Sequence, residues 1–259
     1  MAQVQNNNKP EKNPHSAARR QLLNKNSSFA VREAYKTLRT NIRFMLRDHK
    51  CKRISITSGE AGEGKSITLM NMAISLSEDG QKVLLIDADM RRPAVSRLLV
   101  EKSSPGLSEV LSNVVSWEEA IRPEVYPKLD ILLSGEVPPN PTEMILSQRL
   151  DELITELRQH YDYIVIDSVP AMTIADAMIL DRIADLAIYV IRQGGLDRRL
   201  LPDIEQLYRE HKFRNMGIVL NDVTTEGQGY GYGYENGYYG GRHELSLWQR
   251  IKHKFGHKA

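Results

Sequence analysis

Cysteine is almost missing from this chain: Cys51 is the only one in 259 residues. A single thiol excludes an internal disulfide and suits a reducing cytoplasm, where this protein is expected to work. Cys51 lies among Lys50, Lys52 and Arg53 with no neighbour that marks a nucleophile. Long apolar runs are missing too. The longest are strand-sized, too short for a membrane-spanning helix. Met1 to Asn26 is polar and lacks the apolar stretch of a secretion signal. There is no internal repeat within the body. Net charge is small, +2, but unevenly spread. Residues 1–53 carry 13 Lys/Arg against three Asp/Glu, residues 242–259 five against one, and the middle 17 against 29. Basic ends on an acidic body suit an anionic membrane face, nucleic acid or an acidic partner, and charge alone does not choose.

What the chain does have is a Gly-rich turn between a β-branched run and a helix. Gly59-Glu60-Ala61-Gly62-Glu63-Gly64-Lys65-Ser66 fits G-x-x-x-x-G-K-[ST], with Ile67 continuing the helix. Glycines let consecutive backbone N–H groups curl around phosphate oxygens. The helix points its positive end at the same anion. Lys65 is placed to reach the β- and γ-phosphates, and Ser66 to take one Mg²⁺ position. The chain is therefore expected to bind ATP with Mg²⁺.

Apolar runs at Ile54–Thr57, Val83–Ile86, Leu129–Leu133, Tyr163–Ile166, Leu186–Ile191 and Met216–Leu220 read as strands. Residues through about Leu76, Glu143–His160 and the region near Leu200–His211 read as helices. This alternation predicts an α/β P-loop fold, a mostly parallel sheet with helices on both faces. Before it, Val31, Ala34, Tyr35, Leu38, Ile42 and Met45 share one helical face, while Glu33, Lys36, Arg39 and Arg43 form a charged stripe. Residues 1–28 are expected to be disordered, 29–223 to form the domain, and 224–259 to be a flexible tail. The tail holds Tyr230, Tyr232, Tyr234, Tyr238 and Tyr239 among glycines. Behind them Leu245, Trp248, Ile251 and Phe255 recur at helical spacing among basic residues.

In an open parallel sheet ligands sit beyond the strands' carboxyl ends. Asp87, Asp89 and Asp167 arrive there. Asp167 is the expected second holder of Mg²⁺. Asp87 and Asp89 form an acidic pair that a simple P-loop protein does not need, which points to work on the metal or on an incoming nucleophile. Water as nucleophile gives an ATPase. A tyrosine hydroxyl gives a kinase, and then a carboxylate must accept the phenolic proton.

These motifs together resemble the bacterial tyrosine kinases of capsule and exopolysaccharide synthesis. The match covers roughly Phe29 to Val223, with the Tyr cluster behind it. It rests on the phosphate loop, on the second Walker-like motif Leu84-Leu85-Ile86-Asp87-Ala88-Asp89-Met90-Arg91-Arg92-Pro93, and on Ile164-Val165-Ile166-Asp167. The resemblance implies Asp87 as base, with Lys65 and Asp89 also catalytic, and Ser66, Asp89 and Asp167 around Mg²⁺. It implies Asn221 as adenine contact and the five tail tyrosines as phosphoacceptors. Glu33, Lys36 and Arg39 correspond to the family's Glu-x-x-Arg-x-x-Arg element, which helps close a ring of subunits; Lys36 departs from it. Ala61 and Val169 stand where the family often has Pro. The implied partners are a homo-oligomeric ring, a separate membrane protein as adaptor and activator, and a cognate phosphatase. No nucleic acid is expected, and recruitment to the inner membrane face is. Division-site and plasmid-partitioning ATPases are similar, but they carry Lys where this chain has Glu60, and they lack a Tyr cluster. The alternative is a nucleotide-switched scaffold on the membrane face that modifies no tyrosine.

Overall fold

The computed structural model describes residues 21–47, 50–170, 176–194, 209, 213 and 215–224, with side chains omitted at 176–178. The elements run α1 (Phe29–Met45), β1 (Lys52–Ser58), α2 (Lys65–Glu78), β2 (Val83–Asp87), α3 (Val95–Leu99), α4 (Leu107–Leu111) and α5 (Trp117–Ala120). They continue with β3 (Arg122–Tyr126), β4 (Leu129–Leu132), α6 (Pro141–Leu146), α7 (Gln148–Leu157), β5 (Tyr163–Asp167), α8 (Asp176–Asp181), β6 (Leu186–Arg192) and β7 (Met216–Asn221).

Seven strands form one sheet in the order β3-β4-β2-β5-β1-β6-β7. All pairings are parallel except β3 with β4. The central strands β2 and β5 are buried along their whole length, as continuous Val/Leu/Ile runs require when both faces are covered. One face packs on α2 and, at its margin, α1, through Leu69, Met72 and Leu76 against Ile54, Leu85 and Val165. The other packs on α4, α7 and their neighbours, through Leu107, Leu153 and Leu157 against Leu84, Ile86 and Ile164. All six expected strands are present. The antiparallel β3 was not expected: Pro123 gives it no strand signature, and such a strand survives only at an edge, where it lies.

Several local expectations are corrected. The helix expected over Glu143–His160 is two, α6 and α7, because Ser147 takes an extended ψ of 148° between them. The short α3, α4 and α5 follow β2 in a stretch where no helix was expected. The segment expected to be disordered to residue 28 is docked from residue 21. Leu22 and Leu23 are buried. The Leu23 N–H donates to Asn71 Oδ1 at 2.7 Å, and Asn71 Nδ2 donates to the Gln21 carbonyl at 3.0 Å. Two leucines in a polar stretch carry too little periodicity to be noticed, yet they join the core beside Asn71 of α2. On α1 the buried stripe is narrower than expected. Ile42 and Leu46 are buried and Tyr35 and Leu38 half-buried, while Val31, Ala34 and Met45 stay exposed. The helix expected near Leu200–His211, the five tail tyrosines and the basic segment after them lie outside the described residues.

Candidate active site

β1 ends at Ser58 and the chain turns through residues 59–64 into α2. Gly62 and Gly64 have φ of +94° and +85°, the left-handed region open to glycine. At Gly64 the need is double: a Cβ there would lie 2.1 Å from Asn221 Nδ2. That amide donates to the Glu63 carbonyl at 2.9 Å, so the end of β7 leans on the phosphate loop. The Glu63 carboxylate folds back to accept the Glu60 N–H at 3.0 Å.

Sheet register does the rest. β5 lies between β1 and β2, and Asp87 is paired with Asp167 across the ladder. Lys65 Nζ forms an ion pair with Asp167 Oδ1, and Ser66 Oγ donates to Asp167 Oδ2 at 2.8 Å. Three expected site residues therefore meet. Ser66 Oγ and a carboxylate oxygen within hydrogen-bond reach are an all-oxygen pair suited to Mg²⁺, which takes one or two protein ligands and fills its octahedron with water and phosphate. Among the described residues no group of three acidic, His or Cys side chains forms a closed metal cage.

The two aspartates of the second motif are in different surroundings. Asp87 is 0% exposed, and its oxygens accept the Asp89 and Val95 N–H groups at 3.2 Å each. Burial, then the neighbouring Asp167 charge, pushes its carboxyl well above the usual carboxylate range. Asp89, 7% exposed, lines a cleft of about 730 Å³ with Gly62, Gly64, Lys65, Ser66 and Pro170. Its Oδ1 accepts the Arg92 N–H at 3.0 Å. Burial raises its carboxyl as well, with the Lys65 charge opposing. Asp89 lines the cleft, while Asp87, expected as base, is fully buried beside Asp167, which is buried too. Strand-end position could not separate the two, because the sharp turn that hides one and presents the other is set by Asp87 capping Val95.

Arg91, Arg92 and Arg97 also line this cleft and received no role from the sequence. The first two stand in the second motif; Arg97 sits on α3, which periodicity did not reveal. The charged stripe of α1 splits. Glu33 and Lys36 form an exposed pair at 2.6 Å. Arg39 turns inward, 16% exposed, donating to the Ser75 carbonyl at 2.6 Å and lying 3.4 Å from Asp79 at the end of α2.

A family model described as an AAA domain matches residues 51–212. With the phosphate loop and sheet order, this defines a P-loop nucleoside triphosphatase-type protein. The chain is 36% identical over 208 residues to Tyrosine-protein kinase YwqD of Bacillus subtilis, covering 80% of this chain and 86% of that one. It is 33% identical to Tyrosine-protein kinase CpsD of Streptococcus pneumoniae, covering 80% and 91%. Among solved structures, the chimerical protein CapA2B2 superposes with a TM-score of 0.68 at 30% identity, covering 72% of this chain and 82% of that one. The kinase domain of Escherichia coli tyrosine kinase ETK gives 0.70 at 29%, covering 78% and 80%. The septum site-determining protein MinD of Pyrococcus horikoshii, complexed with Mg-ADP, gives 0.55 at 28%, covering 66% and 70%. The chain belongs to the bacterial tyrosine-protein kinase family.

Proposed function

We propose that this protein uses Mg·ATP to phosphorylate the tail tyrosines of neighbouring copies, regulating capsule or exopolysaccharide synthesis and export. The observation that carries this reading is that Lys65, Ser66 and Asp89 line one cleft, with Asp167 buried behind Lys65 and Ser66 and bonded to both. Backbone N–H groups of residues 59–66 cradle the phosphates, and Lys65 neutralises charge on the β- and γ-groups. Ser66 and Asp167 would hold Mg²⁺, which would supply positive charge to offset the triphosphate. Asn221, hydrogen-bonded to the loop, contacts the adenine side.

The phenol oxygen forms a bond to the γ-phosphorus as the bond from that phosphorus to the β,γ-bridging oxygen breaks. ADP leaves, and the phenolic proton passes to Asp89, the carboxylate that opens on the cleft. Asp87, bonded by two backbone amides, holds the turn that presents Asp89; the family resemblance makes Asp87 the alternative acceptor of that proton. Each phosphate adds about −1.5 to −2 charge, so five add roughly −7.5 to −10 and loosen an assembly by repulsion. That assembly is a ring whose contacts include Glu33, Lys36 and Arg39. A membrane protein supplies the activating cytoplasmic segment and recruits the kinase to the inner membrane face, and a phosphatase resets the tail.

Mass spectrometry after incubation with Mg·ATP and a candidate activator segment tests the reading. Phosphate on Tyr230, Tyr232, Tyr234, Tyr238 or Tyr239, absent in Lys65→Met, is the expected result. Phosphate release without any phosphotyrosine refutes it.

A further inference from the structure

The proposed reaction needs two different ligands in one cleft, and the sheet order separates the walls that would meet them. On one side of β1 lie β6 and β7, which bring Asn221 to the phosphate loop. On the other side, across β5, lies β2, whose outgoing turn and α3 bring Asp89, Arg92 and Arg97. The triphosphate already has loop amides, Lys65 and the metal pair to balance it. The arginines of the opposite wall are additional positive charge. Arg91 is engaged, donating from Nη2 to Thr142 Oγ1 at 2.8 Å. Arg92 and Arg97 are exposed, and among the described residues neither forms an ion pair with a carboxylate. Arg97 donates from Nη2 to the Arg92 carbonyl at 3.2 Å, so the two are held as neighbours. Two exposed arginines that line the same cleft as Asp89 offer their guanidinium groups to a planar or tetrahedral oxyanion.

The acceptor sequence supplies one such anion. From Gly227 to Gly241 every residue is uncharged except Glu235, which follows Tyr234 directly. Resting on the tyrosine-kinase reading, we infer that Arg92 and Arg97 form the acceptor-peptide wall of the cleft and select a tyrosine with an adjacent carboxylate. In the tail they favour Tyr234 first. The phosphate then placed on Tyr234 offers the same two arginines a stronger anion than Glu235, and so assists modification of the tyrosines around it.

Three measurements test this on the full-length protein. The first is transfer to a peptide of residues 224–241 and to its Glu235→Gln form. Wild type should favour the native peptide about tenfold in kcat/KM, mainly through KM. Arg92→Gln/Arg97→Gln should lower that ratio to about one. The second is fluorescence anisotropy with the same peptide carrying all five Tyr→Phe changes, which requires no chemistry. Its affinity should fall at least fivefold in the double variant or on Glu235→Gln. The third is a titration with a fluorescent ATP analogue, which should differ less than twofold between wild type and double variant. Transfer that proceeds with equal preference for the two peptides overturns this inference and leaves the kinase reading standing. Glu235-dependent binding through the arginines without any phosphotyrosine sinks the kinase reading and keeps the peptide site. A tenfold loss of nucleotide affinity with unchanged peptide binding places the arginines on the nucleotide and overturns the inference.

Discussion

Gly64→Ala separates two demands that the phosphate loop makes on one residue. The backbone there has φ of +85°, and an L side chain in that region costs about 1–2 kcal/mol. The new methyl would also lie 2.1 Å from Asn221 Nδ2. Asn221 sits at the end of an edge strand, so its side chain can swing away, but it then gives up its bond to the Glu63 carbonyl. Losing that bond costs about 1 kcal/mol. Together the substitution should destabilise the protein by about 2–3 kcal/mol, or lower its Tm by roughly 4–12 °C for a domain of this size. Urea denaturation of Gly64→Ala, Asn221→Ala and the double variant forms the assay. Asn221→Ala alone should cost about 1 kcal/mol, and in its background the methyl meets no amide. The double variant should therefore be about 1 kcal/mol more stable than the two single effects added together. Additivity within about 0.5 kcal/mol would mean that the two residues do not press on each other. It would refute the close approach of β7 to the loop, and with it the placing of Asn221 in the site.

Asp87→Asn should change the pH profile of stability. The folded carboxyl is raised above its unfolded value, so its stabilising contribution is complete below the unfolded pKa and is lost as pH rises through the folded one. The variant should thus gain on wild type as pH increases, read from urea midpoints between pH 4 and 8; a constant gap refutes the assignment. Asp89→Asn should cut phosphotyrosine formation at least 100-fold while ATP-analogue affinity changes little, and equal loss of both would remove Asp89 from the proton-accepting role. Leu23→Ala should cost about 2–4 kcal/mol by urea denaturation, as a buried leucine and not a tail residue; a change under 0.5 kcal/mol would detach residues 21–28 from the core. Arg39→Ala should cost about 1–2 kcal/mol even in dilute monomer, because its partners Ser75 and Asp79 belong to the same chain; a loss seen only at high protein concentration would leave it the interface role alone.

The parts legible in the sequence were those whose physics is local. Parallel strands draw on apolar runs, so β1, β2, β4, β5 and β6 were visible, as was β7, which at the sheet edge buries no residue, and the loop needs its glycines and Lys65 in fixed order. What sequence could not carry is the direction in which a short irregular stretch turns after a strand. Asp87 and Asp89 are two residues apart and chemically identical, yet one accepts the Val95 N–H in the interior while the other opens on the cleft. The same turn brings Arg97 from a five-residue helix to the wall of the site. Arg39 is ambiguous for a related reason. Its spacing from Glu33 and Lys36 places it beside the charged stripe, but a guanidinium on a long stem can also reach the carbonyls ending α2, where the helix dipole favours it. Side chains that can serve either an exposed face or a nearby helix end are decided by packing, which periodicity does not encode. The arginines of the cleft wall are the opposite case. No carboxylate among the described residues forms an ion pair with Arg92 or Arg97, and that surplus of charge beside Asp89 is what marks the wall as a place for another molecule.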